Sequence, residues 1–329
     1  MKSDVVMDTV MDVVIIGAGM AGLTAAKQLQ HRGKKVAVVE KSRGTGGRLS
    51  SKRLPLPDDQ SLTFDLGCPS FSSETPQFKA QLDKWLADEL IVPCANQPEY
   101  YVGRERNSSI TRHIAKDLNI HFSTRVCRLE KERELWQVYT ESPTGEQLFC
   151  TAEHIVIATP PQQAYDLLPK GNSLCPLIEH IKMEPQWVLL LAVRSSTELK
   201  IDSAQHPNIK SISPEHVKRG AKPDDSVQYY QVQAGEEWSQ ETINWERTRV
   251  ESYLLSEFEA LCEQKIDIIV SHLHRWLYSL PSNTPIDNKE NYLTCSEKIH
   301  LSGDYLATNQ SRHGLECAYL SGISVAKQI

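Results

Sequence analysis

The sequence predicts an α/β fold in which a discontinuous parallel-sheet domain carries an inserted α+β domain. Three observations predict it. Residues 13–16 (VVII) and 35–39 (KVAVV) are short apolar runs of the kind buried on both faces of a parallel sheet, and a helix over about 20–31 lies between them, which makes a β-α-β unit. Strand character returns at 154–158 and again at 300–303, so the chain comes back to that sheet late. Between these returns, after Pro160-Pro161, composition turns to Gln-, Trp- and Pro-rich strands separated by polar loops, placing a domain boundary near 170.

In chain order, residues 1–11 hold three methionines among polar residues and read as a flexible extension. A helix near 75–89 follows a Ser/Pro-rich loop, and a second near 108–118 precedes a third parallel strand at 120–122. Residues 126–130, 136–140 and 147–151 read as an antiparallel meander turned by Pro-Thr-Gly at 143–145, and 154–158 as a separate buried strand. The inserted body has strands at 187–194 and 227–233, a helix at 246–262 and an apolar run at 268–278. The chain closes with a helix from Gly314. The expected domains are 12–74 with 100–170 and 291–329, and 75–99 with 171–290.

The 329 residues suffice for two domains, and 36 Lys+Arg against 42 Asp+Glu give a formal charge of −6. That balance argues against nucleic acid or an anionic membrane surface as the main partner and leaves small molecules as the expected ligands. The apolar runs are far too short to span a bilayer and no signal pattern opens the chain, so cytoplasm is the expected location. The eight cysteines form no C-x-x-C pair or Cys/His ligand spacing, which suggests neither a metal site nor a disulfide framework.

Gly17-Ala18-Gly19-Met20-Ala21-Gly22 is a G-x-G-x-x-G fingerprint placed after a strand and at the mouth of a helix, where backbone N–H groups and the helix dipole meet a pyrophosphate. Gly17 permits the tight turn, Gly19 the approach of phosphate, and Gly22 the close packing of helix on strand. Glu40 closes the second strand, where its carboxylate accepts from ribose hydroxyls. This is a Rossmann-like dinucleotide site, and alone it does not separate NAD from FAD. Between Lys27 and Arg53 stand nine Lys or Arg residues and one acid, Glu40, an excess suited to a diphosphate, with Lys41 and Arg43 nearest the motif. Gly46-Gly47 lets the following loop fold over a cofactor, and Arg48 reaches phosphate or ring edge.

With these motifs in this order the chain resembles the glutathione-reductase-like, amine-oxidase-type flavoproteins. The resemblance implies non-covalent FAD as cofactor, and covalent attachment through Cys295 or Cys317 is the less favoured alternative. It places Asp65-Leu66-Gly67 beside the flavin, Val126, Ala158 and Thr159 along the cofactor, and Gly303-Asp304 on the ribityl chain. The final helix, with Leu315, Glu316 and Ala318, aims its N-terminus at the flavin, stabilising negative charge on the reduced ring.

Within that group residues 41–53, 183–187, 238–239, 274–278 and 315–322 resemble the renalase-like family. That resemblance implies an oxidase taking a hydride from the 2- and 6-dihydro isomers of NAD(P)H onto flavin N5 and reducing O2 to H2O2. Trp187, Trp276 and Tyr305 are then candidate apolar or stacking walls, and His274 or Arg275 a contact to carboxamide or phosphate. One of His272 and His274 is expected to face solvent. No residue stands out as an acid, base or nucleophile, and Ser50-Ser51 and His313 read as hydrogen-bonded loop residues. The sequence departs from the renalase-like pattern at Cys68-Pro69-Ser70-Phe71, at Gly103-Arg104-Glu105-Arg106-Asn107, and at Cys317 in place of a glycine. Two alternatives stand beside this reading: an amine-oxidase-type enzyme acting on a C–N or C–C bond, for which Lys182 is a candidate residue, and a non-catalytic flavin-binding scaffold or redox sensor.

Overall fold

A computed structural model describes residues 10–57, 60–195, 199, 201, 206–219, 227–262, 265–281, 290–307 and 314–329. The chain divides into two compact units. Of the expected extension at 1–11, residues 1–9 lie outside the described residues, and Val10 and Met11 open the first strand.

The first unit comprises the described residues of Met1–Gly47, Thr111–Met183 and Pro281–Ile329. Its sheet runs in the order Tyr292–Thr294, Ile299–Ser302, Gly145–Ile157, Val10–Ile16, Val36–Val39, Ile120–His121, and the last five of these pair in parallel. Val13, Val14, Ile15 and Ile16 are buried without alternation, as strands covered on both faces are. Ile16 pairs with both Val39 and Ile157, and Ile157 with Leu301, so Gly17, Glu40, Ala158 and the Ser302-Gly303 step all leave the sheet at one carboxyl edge. The C-terminal helix Leu315–Gln328 crosses the helix Met20–His31 closely: a Cβ on Gly322 would stand 2.4 Å from the Ala21 carbonyl oxygen.

Residues 147–151 and 154–158 are not two strands. They belong to one, Gly145–Ile157, because no glycine or proline interrupts it. It changes partner instead of ending. Through Ala152 it runs antiparallel to Leu135–Ser142, with a register shift between Leu148 and Cys150, and from Thr151 it runs parallel to the first strand. Pro160-Pro161 ends this strand and also starts a helix, Pro161–Leu167, since proline at the first helical position forfeits no hydrogen bond.

The second unit comprises the described residues of Arg48–Ile110 and Glu184–Leu280. Its main sheet has the order Ile209–Pro214, Val227–Ala234, Met183–Arg194, Asp267–Pro281. Strand periodicity sorts the third of these: Trp187, Leu189, Leu191 and Val193 pack with Val250, Leu254 and Phe258 of the helix Arg247–Leu261, whereas Val188, Leu190 and Ala192 pack with Leu54, Phe64 and Leu66. The latter three come from or just follow the hairpin of Ser51–Pro55 and Ser61–Asp65.

This packing explains where the observed division differs from the expected domains. Residues 48–74 and 100–110 group with the second unit because the hairpin's apolar side chains have their partners there. Residues 171–183 group with the first, where Asn172 donates from Nδ2 to Glu297 Oε2 at 2.8 Å. Among the described residues no helix is long and apolar enough to cross a membrane.

Candidate cofactor site

The carboxyl edge of the first unit's sheet is where an open parallel sheet binds its ligand. Gly17 adopts φ 108°, and a Cβ there would stand 2.8 Å from the Ala158 carbonyl oxygen; one on Gly22 would stand 2.1 Å from the Gly17 oxygen. Both glycines are fixed by backbone. Gly19 differs, because nothing lies within 4 Å of where its Cβ would be, and this leaves room over the mouth of the helix Met20–His31. Met20 and Ala21 are buried in that first turn, and the Gly46 N–H donates to the Ala18 oxygen at 3.0 Å, so the Gly46-Gly47 turn is laced to the glycine turn.

Glu40 is half-buried, and each of its oxygens accepts one backbone N–H: Oε2 from Ala18 and Oε1 from Ser42, both at 2.7 Å. A carboxylate offers about four acceptor positions, so both oxygens retain capacity for ribose hydroxyls. Lys41 donates from Nζ to Gln163 Oε1 at 3.1 Å, and Arg43 is exposed. Val126 is buried opposite Thr140. Thr159 follows Ala158, but its Oγ1 is buried and has no partner among the described residues, so this hydroxyl is turned away from open space.

Gly303 and Asp304 follow the strand Ile299–Ser302, and Asp304 Oδ2 accepts the Gly314 N–H at 3.3 Å. That bond ties Asp304 to the start of the C-terminal helix, whose first turn buries Leu315, Glu316 and Cys317 while Ala318 is half-buried. His313 lies outside the described residues. Cys295 and Cys317 are free thiols.

Most of the remaining expected residues lie in the second unit, and several do other work. Asp65 is 1% exposed and its carboxylate is full: Oδ1 accepts Ser51 Oγ at 3.0 Å and the Asn107 N–H at 2.8 Å, while Oδ2 meets Lys218 Nζ at 2.7 Å and the Arg219 guanidinium. Burial opposes its charge, but Lys218 and Arg219 hold the carboxyl below the usual carboxylate range. Glu215 completes the cluster, accepting from Lys218 and from the Asp65 N–H, and burial pushes its pKa up. Asp65 is therefore a structural hub, not a flavin contact. Gly67 is packed likewise, its carbonyl accepting Gln233 Nε2 at 2.8 Å. Arg48 donates from Nη1 to the Ser279 oxygen at 2.8 Å, and Ser51 serves the Asp65 cluster.

Trp187, expected as a substrate wall, is wholly buried in the core under the helix Arg247–Leu261. Arg275 points to the same side, 5.7 Å from the Trp187 ring, with Nη1 donating to the Ile243 oxygen. Tyr305, in the first unit, is 5% exposed and its hydroxyl has no partner among the described residues, so it too is an interior residue in place of a wall. Burial and the charge of Asp304 raise its pKa. His274 and Trp276 share the opposite strand face, edge to face at 4.5 Å, with Trp276 Nε1 donating to the Leu66 oxygen. Burial and then the fields of His272, Arg247 and Lys52 lower the His274 pKa to about 4. His272 and His274, two residues apart, lie on one side of their strand and both are half-buried, so neither is the solvent-facing partner of the other. Lys182 is exposed.

Sequence reasoning missed Glu215, Lys218 and Arg219 because 214–219 read as a polar loop. The available signal was an acid followed three and four residues later by two bases.

Residues 97–329 match the family model described as flavin containing amine oxidoreductase, and residues 15–85 match the NAD(P)-binding Rossmann-like domain. The chain belongs to the flavin containing amine oxidoreductase family. It is an FAD-dependent oxidoreductase, and the glycine turn, the room over Gly19 and the spare acceptor capacity of Glu40 fit the ADP portion of that cofactor. Curated relatives match in segments. A 4-hydroxybenzoate brominase (decarboxylating) of Pseudoalteromonas luteoviolacea is 30% identical over 135 residues, 41% of this chain and 23% of that protein. An L-amino-acid oxidase of Siganus canaliculatus is 40% identical over 80 residues, 24% of this chain and 14% of that protein. These matches span a quarter or less of each relative. Whole-chain similarity is found to solved structures: a putative protoporphyrinogen oxidase from Exiguobacterium sp. 255-15 (TM-score 0.69, 12% identity, covering 96% of this chain and 98% of that one) and cyclohexylamine oxidase from Brevibacterium oxydans IH-35A (TM-score 0.66, 15% identity, 97% and 98%). At such identities the likeness is one of fold.

Proposed function

We propose that this oxidoreductase is an oxidase of a dihydronicotinamide ring, the 2- and 6-dihydro isomers of NAD(P)H, as the resemblance to the renalase-like flavoproteins implies. One observation supports this reading above others. The segments that carry the resemblance are scattered along the sequence, yet in the second unit they are packing neighbours. The Trp187 N–H donates to Ser239 Oγ at 3.2 Å, and Arg275 lies over the Trp187 ring, so the segments 183–187, 238–239 and 274–278 meet at one residue. A shared scaffold leaves similarity in side chains that touch one another.

When bound, FAD would supply the hydride acceptor, and the proposed reaction balances as NAD(P)H isomer, O2 and a proton giving NAD(P)+ and H2O2. The protein has to orient a flat ring. His274 and Trp276 suit that role. The indole is pinned by its bond to Leu66, and the imidazole, kept neutral by burial, offers both a donor and an acceptor to a carboxamide. Oxidation of an amine is the second reading, favoured by the family match over residues 97–329. Mixing the oxidised holoenzyme without oxygen with 6-dihydro-NAD(P), 4-NAD(P)H and a panel of amines separates the two. Fast bleaching of the flavin by the 6-dihydro isomer is expected, and bleaching by amines alone would transfer the assignment to the second reading.

A further inference from the structure

We propose that Lys41 and Gln163 form a strap across the ADP portion of the cofactor site that retains FAD. Lys41 leaves the carboxyl end of Val36–Val39, and Gln163 lies in the helix Pro161–Leu167, just beyond the carboxyl end of Gly145–Ile157. In the sheet these two strands flank Val10–Ile16, from which the Gly17–Gly19 turn emerges. The strands on either side of a central one are about 10 Å apart. The bond from Lys41 Nζ to Gln163 Oε1 at 3.1 Å therefore joins the two sides of the edge at which the glycine turn stands.

Both ends of the strap are fixed by backbone. On the lysine side, the Ser42 N–H is held by Glu40 Oε1 at 2.7 Å and the Ser123 N–H donates to the Ser42 oxygen at 2.9 Å. On the glutamine side, Pro161 sets the first turn of the helix and the neighbouring Gln162 donates from Nε2 to the Ile181 oxygen at 3.4 Å. The anchored backbones bring the two side chains within reach of each other, and the rotamer entropy that each loses keeps the net worth of the bond small. The ammonium also brings a positive charge to a site whose ligand carries a diphosphate. Gln163 is given no role by the fingerprint, and its part here is to position Lys41. The inference concerns cofactor retention and is independent of which substrate is oxidised.

The test is a double-mutant cycle on FAD release, read as the recovery of flavin fluorescence after dilution of the holoenzyme, for the parent chain, K41M, Q163A and K41M/Q163A. The strap predicts roughly threefold faster release for Q163A, a larger increase for K41M, and a double variant no faster than K41M, because one bond is lost only once. The melting temperatures of the FAD-free proteins are expected to stay with the parent, since both groups are at the surface. Unchanged release in Q163A, or effects that multiply in the double variant, would overturn the proposal. Faster release accompanied by a matching fall in the melting temperature of the FAD-free protein would overturn it also.

Discussion

Glu40 and Asp65 are both acids marked out by neighbouring glycines, and they sit in opposite conditions. Glu40 has about half of its four acceptor positions filled, by two backbone N–H groups, and is half open to solvent. Asp65 has all of them filled, by Ser51, Asn107, Lys218 and Arg219, and is closed off. The first can take a ligand and the second cannot. A carboxylate in a motif is a binding group only where the fold leaves it acceptor capacity and access, and otherwise it holds the fold together.

The largest consequence falls on the saturated acid. Asp65→Asn leaves Lys218 and Arg219 facing Glu215 alone in a closed interior, and breaking a buried ion pair from one side costs about 3–5 kcal/mol. Urea denaturation should show that loss in the FAD-free protein. The double variant Asp65→Asn with Lys218→Met removes one charge of each sign, leaving Glu215 with Arg219, and should recover a substantial part of it. A single variant as stable as the parent would mean that the cluster is not the hub its geometry describes.

The contrast between the two acids also shows what was legible in the sequence. Much of the first unit was legible from local rules: VVII is buried on both faces, Pro and Gly punctuate the turns, and G-x-G-x-x-G needs its own backbone geometry at Gly17 and Gly22. Asp65 was misplaced because its partners at 215–219 lie far along the chain, and no local pattern announces that a polar loop will be buried against it. Trp187 and Arg275 were misassigned for a related reason. Alternation along a strand predicts two faces but not which face meets the helix and which the hairpin. The length of Gly145–Ile157 was hidden because a strand that exchanges one partner for another carries no break in its sequence.

Saturation is not confined to the second unit, and a pH measurement separates edge from interior within the first. His154 Nδ1 and His300 Nε2 share a hydrogen bond at 3.0 Å, and His300 Nδ1 pairs with Thr294 Oγ1 at 2.9 Å. Burial, with a smaller contribution from His154, lowers the His300 pKa from 6.5 to about 4. The folded protein thus keeps this imidazole neutral while the unfolded chain protonates it, so the unfolded state binds more protons below 6.5. The stability is present above that value and is lost as pH falls toward 4, by about 2 kcal/mol between roughly pH 7 and 4.5. Thermal unfolding of the FAD-free protein across that range should show the loss, and His300→Asn should reduce the slope by its own share, leaving that of His274, which burial also lowers to about 4. An unchanged slope in the variant would assign the acid sensitivity to other groups.

The smallest expected effect on the fold is the one that tests the two acids against each other most directly. Glu40→Gln keeps one acceptor oxygen and the shape of the side chain but exchanges the other oxygen for a donor, which then faces a backbone N–H that it cannot accept. Because Glu40 is half open to water, the displaced N–H can be hydrated, and stability of the FAD-free protein should fall by no more than about 1 kcal/mol. Cofactor binding should suffer more, because ribose hydroxyls lose a charged acceptor worth about 1.5–3 kcal/mol, or roughly ten- to a hundredfold in FAD affinity. Titration of the FAD-free variant with FAD, followed by quenching of flavin fluorescence, measures this against the same variant's urea midpoint. If Glu40→Gln lowered fold stability as far as Asp65→Asn while leaving FAD affinity intact, the two acids would be the same kind of residue, and acceptor capacity would not be what distinguishes a ligand group from a structural one.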